Sequence, residues 1–134
     1  MENVENIETS NPSVDDSILS SIKKMLGITP DYEQFDLDIK VHINTAFAAL
    51  TQIGVGPKEG FRITGKDEVW TDYTERQILI DPIKDYIYSR VRLVFDPPTS
   101  SMVTEAVKET IRELEWRIQV SVEFNKKEET QNGD

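Results

Sequence analysis

The chain has 134 residues, and 25 acidic against 15 basic side chains leave a formal charge of −10. One domain fits that length, since domains commonly hold roughly 100–150 residues, and 37% hydrophobic with 30% charged residues describes a soluble globular chain rather than a disordered one. No run reaches the ~18 apolar residues of a membrane span, residues 1–5 carry acid where a secretory leader needs base, and the absence of cysteine removes disulfides and thiolate metal sites.

The charge is unevenly placed. Glu2, Glu5, Glu8, Asp15 and Asp16, with no base among them, give residues 1–16 a charge of −5. Four acids against Lys126 and Lys127 give residues 123–134 a charge of −2, so the body between carries only −3. This reads as an acidic, flexible leader (1–16), a helical domain (17–124) and a polar C-terminal tail (125–134). The tails are either solvated or ordered by a partner.

The first periodic unit covers residues 14–26, with Ile18, Ile22, Met25 and Leu26 on one stripe and Ser13, Asp15 and Asp16 as candidate N-caps. Gly27 is suited to the left-handed conformation that ends a helix, and Ile28 is placed to fold back on Ile22. A second helix is predicted over residues 36–53, where Phe35, Ile39, Ile43, Ala46, Phe47 and Leu50 recur at steps of three and four. Gly54 ends it in the same manner, with Leu50 and Val55 as the expected contact pair.

Residues 54–79 are broken by Gly54, Gly56, Pro57, Gly60 and Gly65. Extended pieces at 61–63 and 69–71 predict a small hairpin within a long irregular connection. A third helix is predicted from Asp81 as N-cap and Pro82 as first helical residue to Phe95. Ile83, Ile87, Val91 and Val94 form its stripe, flanked by Tyr86, Tyr88, Leu93 and Phe95, which leaves a narrow polar strip at Asp85, Ser89 and Arg92. A helix apolar nearly all round belongs in the middle of a fold.

Asp96, Pro97 and Pro98 break the chain, and Thr99 or Ser100 caps a last helix over residues 101–124. Its main stripe is Val103, Val107, Ile111, Leu114 and Ile118. At 100° per residue this stripe spans roughly 0–80°, whereas Met102, Trp116, Val120 and Phe124 fall at roughly 220–300°. Two apolar faces need two partners. Either the helix is sandwiched within its own bundle, or the second face packs on another subunit, where Trp and Phe are favoured anchors. The shortness of the chain tilts the reading toward an interface.

No catalytic constellation can be assembled, and the chain reads as a non-enzyme with no cofactor and no metal site. His42, the single histidine, sits mid-helix beside the apolar stripe. Asp31, Glu33, Asp36 and Asp38 lack the spacing of a calcium loop, and Asp81 and Asp85 are explained by capping and the helix dipole. The stretch Gly54, Val55, Gly56, Pro57, Lys58 does not match a phosphate loop. Lys23 with Lys24, and Arg90 with Arg92, are too small as basic groups to build a nucleic-acid face on a chain whose net field repels DNA.

Five segments taken together resemble the small head-tail connector (adaptor, or head-completion) proteins of long-tailed phages and prophages: SSIKKMLG at 20–27, DIKVHIN at 38–44, LTQIGVGPKEG at 50–60 with Phe61 and Trp70 beyond it, DYIYSRVRLVFDPPTSS at 85–101, and ELEWR at 113–117. They cover most of residues 18–124, and the run ending in RLVFDPPTS is the most specific. The resemblance implies an all-α subunit, a bundle of about four helices, that assembles as a homo-oligomeric ring of twelve beneath the portal protein at the head-tail junction of the virion, having been made in the host cytoplasm. It implies a ring that extends the DNA channel, lets double-stranded DNA pass without sequence-specific binding, and seats a stopper or tail protein, with no membrane involved. Met102, Trp116, Val120, Phe124, Phe61 and Trp70 are the expected subunit or portal contacts, and Phe124 with the tail through Asp134 is expected to reach toward the portal. The alternatives are a small acidic helical protein-protein interaction module and an acidic DNA mimic; the near-neutral body argues against the mimic.

Overall fold

The computed structural model describes residues 17–132, with side chains through residue 128. Ser17 opens helix α1 (Ile18–Met25), its hydroxyl accepting from the Ser20 amide at 3.1 Å. The predicted start at residue 14 and the caps Ser13, Asp15 and Asp16 lie outside the described residues, as does the rest of the acidic leader. Ile18, Leu19 and Ile22 are buried. Gly27, at φ +86°, closes the helix in a Schellman turn, with its amide donating to Lys24 and that of Ile28 to Lys23.

The α1–α2 connection is held by an unusual device, a lysine inside the protein. Lys23 is fully buried, and its Nζ donates to the Pro30 carbonyl at 2.8 Å and pairs with the Asp36 carboxylate at 2.7 Å. A buried ammonium is tolerable only with such partners. Helix α2 (Asp36–Gln52) buries Ile39, Ile43, Ala46, Phe47 and Leu50 of the predicted stripe, whereas Phe35, at its N-cap, is exposed. The Val55 amide donates to the Leu50 carbonyl at 2.9 Å after Gly54 at φ +87°, and both Leu50 and Val55 are buried, as the spacing predicts.

The predicted hairpin does not form. Residues 61–63 pair with no strand; instead the Asn44 side chain takes a strand's place, accepting from the Ile63 amide at 2.7 Å and donating to its carbonyl at 3.0 Å. Val69 makes an isolated antiparallel bridge to Ser17, and the chain then turns into a short helix α3 (Trp70–Tyr73). The reason lies in burial. Trp70 and Tyr73 are three apart, so one helical turn drives both into the core, and Asp72 closes that turn by accepting from the Val69 amide at 2.9 Å. Tyr73 meets Phe47 and Phe61 with ring centroids 4.8 and 5.2 Å apart.

Helix α4 (Ile80–Phe95) follows a 3₁₀ turn at Gln77–Leu79. It begins before Asp81, which therefore sits in the first turn rather than at the cap. Burial of Leu79 and Ile80 draws the extra residues in. Pro82 is still tolerated, because the first four amides of a helix have no intrahelical acceptor. Tyr86, Ile87, Ser89 and Val91 are buried, whereas Val94 is exposed. Helix α5 runs Ser101–Asn132, eight residues further than predicted and about 48 Å in all. Nothing stops it at Phe124, since residues 125–132 contain neither Gly nor Pro and the first glycine after the Pro97–Pro98 break is Gly133.

The subunit is thus all-α, with four longer helices in three layers. Helix α4 is the middle one: both α2 and α5 pack extensively on it and not comparably on each other. On α4, Tyr86 donates to Glu115 of α5 at 2.7 Å, while Phe95 stacks edge-on against Phe35 at the start of α2 with centroids 5.4 Å apart. Those two residues are nine positions, or two and a half turns, apart, so they point to opposite sides of α4.

Candidate assembly interface

The two apolar faces of helix α5 have different surroundings among the described residues. Its inner face does most of the expected work: Ile111 and Ile118 are buried, with Val107, Leu114 and Val122 packed against the core, while Val103, in the first turn, is exposed. The Gln119 amide donates to the Ile53 carbonyl at 3.2 Å, and Arg90 joins Tyr86 and Glu115 at 3.3 and 3.7 Å. Burial and the hydrogen bond to Glu115 raise the Tyr86 hydroxyl pKa against the opposing pull of Arg90, so it stays a neutral donor. The outer face has no such partner. Met102, Trp116, Val120 and Phe124 are 80%, 66%, 42% and 63% exposed. The sandwiched-bundle reading is therefore set aside, because no element among the described residues covers this stripe.

Trp116, Val120 and Phe124 follow one another at four-residue steps and form a continuous ridge about 12 Å long. Met102 lies fourteen residues, roughly 21 Å, toward the start of the helix. Around the ridge the surface is charged and mostly self-paired, with Glu113–Arg117 at 2.8 Å and Glu109–Arg112 at 2.7 Å. Exposed pairs of this kind support the helix more than they hold a partner.

The other two expected contacts fall elsewhere. Trp70 is fully buried, its Nε1 donating to the Ser21 hydroxyl at 3.0 Å and Lys84 lying 5.8 Å over its ring, so it offers no surface to a partner. Phe61 is half-buried and wedged 4.9 Å from Phe47. Trp70 entered the expected set with the irregular segment 54–79 and the family resemblance, since an aromatic residue in such a segment carries no phase from which burial can be read.

The structure adds an exposed face on α2 that the sequence reading passed over. Leu37, at 67%, and Val41, at 50%, are exposed, and Ala48 continues their line. At 100° per residue they lie roughly 150° from the buried stripe of α2. The signal was present in the spacing 37, 41, 48, but the stronger core stripe masks it. Beside Ala48 an open hollow of about 460 Å³ is lined by Asn44, Thr51, Gly60, Phe61 and the rim residues Glu59 and Arg62. Among the described residues no group of three or more His, Asp or Glu side chains is placed to hold a metal ion, and no helix is long and apolar enough to cross a membrane.

The subunit is all-α and leaves an aromatic ridge exposed on α5, and the sequence matches the family model described as Phage connector protein over residues 18–125. The chain belongs to the phage connector protein family. No curated protein and no solved structure matches it. The matched span opens at the first residue of α1 and closes one residue beyond Phe124, so the connector domain includes all the layers described above together with the exposed ridge. Connectors are structural components of the virion at the head-tail junction, and this connector accordingly works by meeting other head and tail proteins.

Proposed function

We propose that the chain is the adaptor beneath the portal: copies of it form a ring, twelve in number to match the portal, that extends the DNA channel and seats the stopper or tail. The observation that carries this reading is the ridge Trp116, Val120 and Phe124, a bulky apolar surface left open on a subunit whose core is otherwise closed. Aromatic residues of this kind dominate the energetics of protein interfaces. The length of α5 supports the reading too, since a rod of about 48 Å can span from a ring toward a neighbouring component.

The acidity acquires a role in that setting. DNA moving through a ring must slide, and carboxylates on the channel wall avoid the phosphate contacts that create tight, salt-dependent binding. Charge reversal of channel-facing acids is expected to slow DNA ejection; unchanged ejection would remove this part of the proposal. The ring itself is tested by mass measurement and electron microscopy of the purified chain, alone and mixed with the portal protein of the same virion. Rings of about a dozen subunits on the portal are expected. A tight two-fold dimer with no affinity for the portal would instead make the chain a small interaction module.

A further inference from the structure

A ring whose subunits are related by rotation joins two different surfaces of each copy. The ridge on α5 is one such surface, and the inner face of the same helix, already buried against α4, cannot be the other. We infer that the second surface is the outer face of α2, so that Trp116, Val120 and Phe124 of one copy seat against Leu37, Val41, Ala48 and the hollow beside them on the next copy. This inference rests on the ring reading and specifies its contact.

Position favours it first. Helices α2 and α5 are the two outer layers on opposite sides of α4, and each turns its exposed apolar stripe roughly 150° away from its own buried face. A subunit with apolar stripes on opposite flanks joins head to tail and leaves neither stripe wet. Two copies related by a two-fold axis through α5 would cover the ridge and leave Leu37 and Val41 exposed.

Shape agrees. The ridge is made of large side chains, Trp and Phe, whereas the α2 face is made of smaller ones and opens into the hollow of about 460 Å³. That volume is within the ~300–1,000 Å³ of ordinary ligand pockets and accommodates an aromatic side chain. Phe61 forms part of its wall, so this residue meets the partner from the receiving side. Charge agrees as well. Arg62 at the rim pairs with no acid among the described residues, and Glu123, which adjoins Phe124 and lies about one turn beyond Val120 on α5, pairs with no base among them. Across a head-to-tail contact the two are complementary at the rim, where opposite charge sets register more than affinity.

The chain contains no cysteine, so introduced thiols report the contact cleanly. The full-length variant Ala48→Cys with Val120→Cys, assembled on the portal and treated with a short bismaleimide, is expected to give a ladder of covalent oligomers up to ring size, while each single variant remains monomeric on a denaturing gel. Dimers from Val120→Cys alone would mean that α5 faces α5, and an intramolecular product alone would mean that the chain covers its own ridge; either overturns the inference. Rings seen by microscopy without any ladder would overturn the pairing of faces while leaving the ring reading intact. The absence of rings with the unmodified chain on its portal would end both. Val41→Glu serves as an independent check, since this residue is half exposed and its replacement leaves the core untouched. Ring yield is expected to fall at least tenfold with the melting temperature of the monomer unchanged, and an undiminished yield would contradict the inference.

Discussion

Helices α4 and α5 both carry more apolar surface than a single contact can cover, and they resolve the surplus in different ways. In α4 the surplus is covered within the chain, Val94 aside: α2 takes one side and α5 the other, and even Ser89 is buried. In α5 the inner stripe goes to α4 and the outer ridge is left open. On the proposed ring reading, the difference separates what the chain needs in order to fold from what it keeps for assembly. Removing a side chain from α4 should therefore change the stability of the monomer, and removing one from the outer side of α5 should not.

The largest effect on that comparison is expected from Ile87→Ala. Ile87 is fully buried at the centre of α4, and truncating a buried aliphatic residue costs about 2–5 kcal/mol. Urea denaturation should show a midpoint far below that of the parent chain; a negligible shift would mean that the middle layer is loosely packed. Lys23→Met comes next. It strips the Asp36 carboxylate and the Pro30 carbonyl of their partner, and because Asp36 retains some solvent contact, a loss of about 2 kcal/mol is expected rather than the larger cost of a fully buried broken pair. Retention of full stability would assign the connection between α1 and α2 to packing alone.

Gly56→Ala probes how tightly the irregular segment is fitted. Gly56 has φ +92°, and a Cβ there would stand 2.6 Å from the Tyr73 hydroxyl. Backbone strain and overpacking together predict a loss of about 1–3 kcal/mol, measured in the same denaturation experiment. The smallest effect concerns acid. Burial pushes the Glu68 carboxyl up, but hydrogen bonds from the Thr64 hydroxyl and amide and from Gly65 outweigh it, and the net pKa lies below the ordinary 4.5. A carboxylate held below its unfolded value stabilises the protein above that value and loses the contribution as pH falls through the folded one. Melting curves between about pH 3 and 7 should show a modest acid-side decline that Glu68→Gln flattens; an unchanged decline would place it elsewhere.

How much of this was legible in the sequence follows from where phase information exists. Periodic segments carry it, so the core of α2, the double face of α5 and the two glycine-terminated helix ends at Gly27 and Gly54 were readable from spacing. Helix ends set by tertiary burial were less so. Asp81 followed by Pro82 is a good local start signal, yet buried Leu79 and Ile80 move the start of α4 earlier. The segment 54–79 has no period. Its structure depends on a side chain far away in sequence, Asn44, and on the core positions of Trp70 and Tyr73, none of which local propensity encodes. The α2 face at Leu37, Val41 and Ala48 was readable in principle but is only three residues strong.

The central claim is that the outer ridge of α5 serves assembly and not folding. Its most direct test is the double variant Trp116→Ala with Phe124→Ala, followed by circular dichroism melting of the isolated chain and by electron microscopy with the portal protein. The account predicts native helicity, a change in monomer stability within about 0.5 kcal/mol, and no rings on the portal. Loss of helicity in the isolated variant, or rings as abundant as those of the unmodified chain, would contradict it.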